Sequence, residues 1–129
     1  MQLQRNASRM SRQPQRSSLT SIVVDAGNKV YDSRENCNAI IETETNLLVK
    51  GCNKTIIPKS VTKIASSAFQ GCTGLTSVVI PEGVKEIGWD AFKGCTGLTS
   101  IKVPAGKGWR FKKLLDDEDL AKLVVEFEP

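Results

Sequence analysis

The sequence predicts a solenoid of stacked coils, mainly β with short helical turns, and three observations support this fold class. Residues 58–80 and 81–103 are two copies of one 23-residue unit, because 12 of the 23 positions are identical. Proline recurs at the same period, at Pro58, Pro81 and Pro104. Apolar residues occupy the same places in both copies, as expected of coils that bury their apolar side only against each other. A period of this length with leucine at fixed positions is typical of a leucine-rich-repeat solenoid.

Each coil is predicted to contain two short strands, one at 62–64 and 85–87 and the other at 76–80 and 99–103. A helical turn is expected between them, ending at Gly71 in one copy and Gly94 in the other, because glycine tolerates the left-handed conformation. The predicted core consists of the positions that stay apolar in both copies: Val61/Val84, Ile64/Ile87, Phe69/Phe92, Leu75/Leu98, Val78/Ile101 and Ile80/Val103.

The repeat domain is predicted over residues 18–129, after a disordered polar tail at 1–17. Residues 19–24 match the later strands, so the chain is expected to enter at the end of a coil. Residues 25–55 form an insertion, in which two apolar runs around a polar stretch predict a β-hairpin. If Glu42 pairs with Leu47, Cys37 lies opposite Cys52, and a disulfide there depends on the redox compartment.

Cys72 and Cys95 share one repeat position. They could bridge adjacent coils or form a ladder of small buried thiols. In-register side chains point the same way, which favours the ladder.

Residues 105–129 are predicted to form a helical cap over the last apolar layer. Phe111, Leu114 and Leu115 have helical spacing, as do Leu120, Leu123 and Val124. Asp116 is the expected N-cap of the second helix. Trp109 belongs to this cap and is interpreted as structural.

Composition argues against several function classes. The net charge of +4 comes from four arginines within residues 1–16, so the repeat body is neutral and nucleic-acid binding is not expected. The chain has no histidine and no C-x-x-C pair among its four cysteines, so we expect no metal, no cofactor and no enzyme activity. No segment is apolar enough to insert into a membrane. The first residues lack the apolar region of a recognisable signal peptide.

Positions that differ between the copies are predicted to face solvent. Trp89 stands where the other copy has Ser66; it either packs over a neighbouring loop or the cap, or acts as a binding hot spot. Outward side chains of the second strand, stacked with Ser21 and Val23 of the entry segment, form a small, flat, weakly polar strip, which is either plain solvated sheet or a docking surface. The candidate partner-binding residues are Trp89, Ser77, Val79, Ser100 and Lys102.

The N-terminal end of the stack is a second candidate surface. No full coil precedes Leu19, so the apolar layer under Ile22 and Val24 is expected to be uncovered. Uncovered apolar side chains and strand edges promote self-association.

The repeated segments Ile57-Pro58-Lys59-Ser60-Val61, Ala68-Phe69-Gln70-Gly71-Cys72 and Leu75-Thr76-Ser77-Val78 resemble the BspA-like leucine-rich repeats of bacterial surface proteins. The segment from Val30 to Thr43 and the ending around Val103-Pro104-Ala105-Gly106 are also similar to that family. The resemblance covers about residues 19–125. It implies a solenoid with two short strands per coil, a location on the cell surface or outside the cell, and adhesion to host or matrix proteins, with no catalytic residues.

Two interpretations of function follow. The first is a non-enzymatic protein-binding or adhesion module. The second is a purely structural capping fragment of a longer repeat protein, with no ligand of its own.

Overall fold

The computed structural model describes residues 19–127, so the predicted tail lies outside the described residues. Short strands dominate this part of the chain, and two short helices follow the last repeat. The strands are β1 (Tyr31–Asp32), β2 (Ile40–Glu42), β3 (Leu47–Lys50), β4 (Lys63–Ile64), β5 (Ser77–Val79), β6 (Glu86–Ile87), β7 (Ser100–Pro104) and β8 (Val124–Phe127). The α-helices are α1 (Gly108–Leu115) and α2 (Glu118–Ala121), and a short 3-10 helix (Arg34–Asn36) follows β1. None of the helices among residues 19–127 is long and apolar enough to cross a membrane.

The strands form two sheets, and the two repeat copies lie side by side in both. The five-stranded sheet has the order β1-β2-β3-β4-β6, and the three-stranded sheet has the order β5-β7-β8. β4 pairs in parallel with β6, with Ile64 opposite Ile87, and β5 pairs in parallel with β7, with Val78 opposite Ile101. These partners are one 23-residue period apart. The predicted pairing of the copies is therefore confirmed.

The core is the set of residues that both copies keep apolar. Eleven of the twelve predicted core side chains are buried, and the twelfth, Ile87, is half-buried against the same cluster. The rings of Phe69 and Phe92 stack with their centroids 5.1 Å apart and their planes 9° from parallel. The ring of Phe69 also lies against Gly51, where an added Cβ would come 2.2 Å from a ring carbon. Glycine at this position lets the preceding coil approach the aromatic stack closely.

The segment between the two strands of a coil is not the helical turn expected. Amides of Ala68, Gln70 and Cys72 donate to carbonyls three residues back, at 3.0–3.2 Å. The alternate amides donate instead to the next coil, as from Phe69 to Ala91 at 2.7 Å. Neighbouring coils compete with the helix for these donors. Gly71 does take the predicted left-handed conformation, with φ of 79°.

The predicted hairpin is present, and its second strand also pairs with the repeat stack. Glu42 pairs with Leu47 and Ile41 with Leu48, as expected, and then a β-bulge shifts the register so that Ile40 pairs with Lys50. β3 also pairs in parallel with β4. The second strand of the hairpin is therefore the first strand of the repeat stack.

The entry segment differs from the sequence prediction. Residues 19–24 form no strand, although the carbonyl of Leu19 accepts a hydrogen bond from the amide of Asn53 at 3.1 Å. Ile22 and Val24 are buried, at 5% and 7% exposure. The expectation of an uncovered apolar layer is therefore wrong, and self-association at this end remains a prediction without that support.

The cap is part helix and part strand. α1 buries Phe111 and Leu115, as its spacing predicts. The N-cap of α2 is Asp117 rather than Asp116: the Asp117 carboxylate accepts from the amides of Asp119 and Leu120, whereas Asp116 ends α1 in a left-handed conformation.

The prediction of a helix that includes Val124 is wrong. β8 pairs in parallel with β7, with Val124 opposite Ile101, again one 23-residue period apart. The cap is therefore a further coil whose turn has been replaced by two helices.

Candidate functional site

The outward side of the three-stranded sheet carries four of the predicted contact residues. We define the sheet face as Ser77, Val79, Ser100, Lys102 and Val125. Ser77 lies opposite Ser100, and Val79, Lys102 and Val125 lie in one row across the three strands. The structure thus brings the four predicted sheet residues together. Whether they contact a partner remains a prediction.

The sheet face is more apolar than the sequence interpretation suggested. Val79 is 42% exposed and Val125 is 46% exposed, on either side of the exposed Lys102. Ile56, one period before Val79, is also exposed. Val125 was missed because its strand was predicted as helix, and Ile56 because it adjoins the presumed insertion. The 23-residue period was the signal that could have identified both.

Trp89 lies apart from this face, in the turn that follows β6. Its side chain is 81% exposed, which does not fit the interpretation that it packs over a loop or the cap. Trp109, expected to be structural, is 67% exposed on α1. Neither indole contributes to the buried core, so both are available to solvent and to partners.

A cleft of about 790 Å³ separates the last repeat turn from the cap, and sequence reasoning gave no sign of it. We call it the cap cleft. One wall is the turn at 87–96, including Trp89, and the other carries apolar side chains of the cap. The residues of the second wall are Leu114, Leu115, Leu120 and Leu123, with Asp116, Asp117 and Asp119 beside them.

The charge of the cap cleft is mainly negative. Asp90 from the repeat turn and the three cap aspartates are all exposed, and Lys93 is the basic residue among the described lining residues. Apolar side chains in the walls, with aspartates around them, favour a ligand that combines apolar surface with positive charge.

The four cysteines are buried within the stack. The thiol of Cys95 lies 3.0 Å from the carbonyl oxygen of Phe69, and that of Cys72 lies 3.8 Å from the carbonyl oxygen of Gly51. Each sulfur thus faces the backbone of the preceding coil at one repeated position, as a ladder of buried thiols requires.

Cys37 and Cys52 are free thiols in this structure. The bulge at Ile40 ends the simple register that placed them opposite each other. Burial raises the pKa of the Cys37 thiol. The Cys52 amide donates at 2.7 Å to the Thr55 hydroxyl, which donates in turn to the Asn38 carbonyl. A disulfide between Cys37 and Cys52 remains a prediction.

A bidentate ion pair holds the inserted region together. The Arg34 guanidinium donates to both carboxylate oxygens of Asp32 at 2.8 Å and also to Asn46 and Ser60. The hydrogen bonds from Arg34 hold the pKa of Asp32 well below its usual range. Since Ser60 belongs to the first repeat copy, this arginine links the insertion to the stack.

A second carboxylate joins two elements of the cap. Glu126 of β8 accepts hydrogen bonds from the amides of Gly106 and Gly108, at 3.0 and 2.8 Å, and these bonds lower its pKa. This contact joins the start of α1 to the last strand. Within residues 19–127 no cluster of three or more histidine, cysteine or acidic side chains is arranged to hold a metal ion.

Comparison with protein families gives one match: the model of the BspA-type leucine-rich repeat region covers residues 48–112. Comparison with curated proteins and with solved structures gave no match. The family match includes both repeat copies, the second hairpin strand and the start of α1. The chain therefore belongs to the BspA-type leucine-rich repeat family.

Proposed function

We propose that this BspA-type leucine-rich repeat domain is a short solenoid that works as a non-enzymatic protein-binding module. The observation that carries the proposal is the sheet face, where two exposed valines flank an exposed lysine on a hydrogen-bonded parallel sheet. Such a surface is already ordered before a partner arrives, so little conformational entropy is lost on docking. Leucine-rich repeat domains generally bind proteins, and the family resemblance implies host or matrix proteins as partners.

Binding to a panel of immobilised, purified extracellular-matrix proteins tests this proposal. The full chain is expected to bind at least one of them, and the variant Val79→Asp/Val125→Asp to lose that binding at least tenfold. Val30→Asp is the control for the charge change, because it alters a comparably exposed valine in the insertion, outside the sheet face. Binding by the sheet-face variant equal to that of this control would remove the sheet face from the proposal, and Trp89→Ala then tests the other candidate contact separately.

We also propose that the chain acts at the cell surface or outside the cell, in adhesion. In an oxidising compartment Cys37 and Cys52 are the pair expected to form a disulfide. Thiol titration of exported, unfolded and unreduced protein should then find fewer than the four thiols that the sequence supplies. A count of four would contradict the disulfide and leave the binding proposal untouched.

The second candidate function is a structural cap with no ligand of its own. It is favoured by the way the last residues complete the stack: β8 continues the repeat register, and α1 buries Phe111. In that case the panel gives no binding by any variant, and Phe111→Ala still lowers the free energy of unfolding by about 3–5 kcal/mol.

A further inference from the structure

The cap cleft exposes a set of backbone donors that the rest of the stack uses. In the first repeat copy the amides of Ser67, Phe69 and Gly71 donate to carbonyls of the next coil, at 2.9, 2.7 and 2.8 Å. One period later the equivalent amides belong to Asp90, Phe92 and Gly94. The cap offers them no carbonyl: among residues 19–127 none of these three amides has a hydrogen-bond acceptor.

These three amides lie in the turn that forms one wall of the cap cleft. The other amides of this turn are satisfied: those of Ala91, Lys93 and Cys95 donate to carbonyls three residues back, as in the preceding copy. The cap cleft therefore occupies the place of the next coil's turn, and the donors that such a turn would use remain without partners. Amides that already lie ordered in the turn and lack an acceptor can donate to the carbonyls of a ligand that enters the cap cleft.

We propose that the cap cleft binds a basic peptide segment, whose backbone adds to the last repeat as the missing turn. Alternate carbonyls of the peptide accept from the amides of Asp90, Phe92 and Gly94. Lysine or arginine side chains of the peptide face the aspartates of the rim, and the exposed indole of Trp89 is placed to stack on one of them. The volume of about 790 Å³ lies within the range of peptide-sized and small-molecule sites. This inference rests on the proposed protein-binding function and assigns it a second surface with a defined partner chemistry.

Amide hydrogen exchange on the full chain tests the backbone contacts directly. The probe is the synthetic peptide Ala-Lys-Arg-Ala-Ala-Lys-Gly at millimolar concentration, and its counterpart has glutamate in place of lysine and arginine. The basic peptide is expected to slow exchange at Asp90, Phe92 and Gly94 at least tenfold. Ser67, Phe69 and Gly71 serve as internal controls, because their amides already have acceptors and should exchange slowly with or without peptide.

Charge complementarity is tested with two matched double variants. Asp90→Asn/Asp119→Asn removes two rim charges and should lower the affinity for the basic peptide at least fivefold. Asparagine suits the left-handed conformation at position 90, where φ is 58°. Glu44→Gln/Glu82→Gln removes the same charge from two exposed residues outside the cap cleft and should leave peptide affinity unchanged.

Three results would overturn the proposal. One is unchanged exchange at the three amides in saturating basic peptide. Another is equal protection by the acidic peptide. The third is protection that is already present in the free chain and is lost in 0.5 M salt or when Arg5, Arg9, Arg12 and Arg16 are replaced by serine, because the occupant would then be the chain's own first residues. The sheet-face variant Val79→Asp/Val125→Asp should not affect this exchange, so the two binding proposals can fail independently.

Discussion

The two repeat copies share half their residues but not their surroundings. The copy at 58–80 has a coil on either side, whereas the copy at 81–103 has a coil on one side and the cap on the other. Ile64 is 2% exposed and its partner Ile87 is half-buried, and Cys72 is fully buried while Cys95 is 9% exposed. Equivalent side chains thus differ in burial because their neighbours differ. The copy at the end of the stack is where surface for binding becomes available.

The largest expected effect comes from the aromatic pair. Phe69→Ala and Phe92→Ala should each lower the free energy of unfolding by about 3–5 kcal/mol. Phe69→Ala should cost more, because its ring contacts both Phe92 and the preceding coil at Gly51, whereas Phe92 lines the cap cleft. Denaturant unfolding monitored by circular dichroism measures both. A larger loss for Phe92→Ala would contradict the comparison, since it would mean that the cap packs more tightly than a coil.

A smaller effect is expected from Gly51→Ala, which tests the packing of the copy at 58–80 against the preceding coil. The new Cβ would come 2.2 Å from the Phe69 ring, and overpacking of this kind costs about 1–3 kcal/mol. Gly27→Ala is the matched control, because its Cβ would meet only an ordinary contact at 3.6 Å. Phe69→Leu should relieve part of the cost of Gly51→Ala. If the two changes simply added, the clash would not be the cause.

Trimming one methyl group compares the two copies at a single repeat position. Ile64→Val should cost about 0.5–1.5 kcal/mol, the usual range for this change in a core. Ile87→Val should cost less, because Ile87 is only half-buried beside the cap cleft. Equal losses in chemical unfolding would show that the cap cleft is closed in solution.

The smallest expected effect is electrostatic and lies outside both copies. Asp32→Asn should lower stability at pH 7 by about 0.2–1 kcal/mol, since this ion pair is partly exposed. The pKa of Asp32 is lowered in the folded state, so its contribution is fully present above the unfolded pKa of about 3.9 and is lost progressively as pH falls from there through the lower folded-state pKa. The gap between wild type and variant in unfolding curves should therefore close in acid. A gap that persists there would assign the loss to packing.

Repetition made much of the fold predictable from the sequence. A position that stays apolar in two copies is expected to be core, and a position that varies is expected to be exposed, so Phe69 and Lys102 could be assigned without coordinates. The same comparison placed Val79 beside Lys102 and Ser77 beside Ser100. It works because each residue has a counterpart one period away in an equivalent environment.

The sequence prediction failed where a residue's repeat counterpart has different neighbours. It also failed where backbone hydrogen bonds, rather than side chains, determine the local structure. Val124 follows two helices and has helical spacing with Leu120, so its pairing with Ile101 was hidden, although the period indicated it. A helical turn that ends at glycine was expected at Ala68–Cys72, but the amides of Phe69 and Gly71 donate to the next coil instead. The cap cleft depends on the donors at Asp90, Phe92 and Gly94, and unpaired amides leave no mark in side-chain patterns.

The hydrogen bonds between coils have one further consequence, for how such a chain can change in length. Between the two repeat copies, Ser67 donates to Trp89, Thr99 to Thr76 and Gly88 to Ile64, so these bonds join residues 22 to 24 positions apart. A unit copied in frame therefore brings donors that match the acceptors of the unit it was copied from. Duplication or loss of one unit leaves the remaining junctions unaltered, so a gene of this kind can lengthen or shorten its product by recombination without first evolving a new interface.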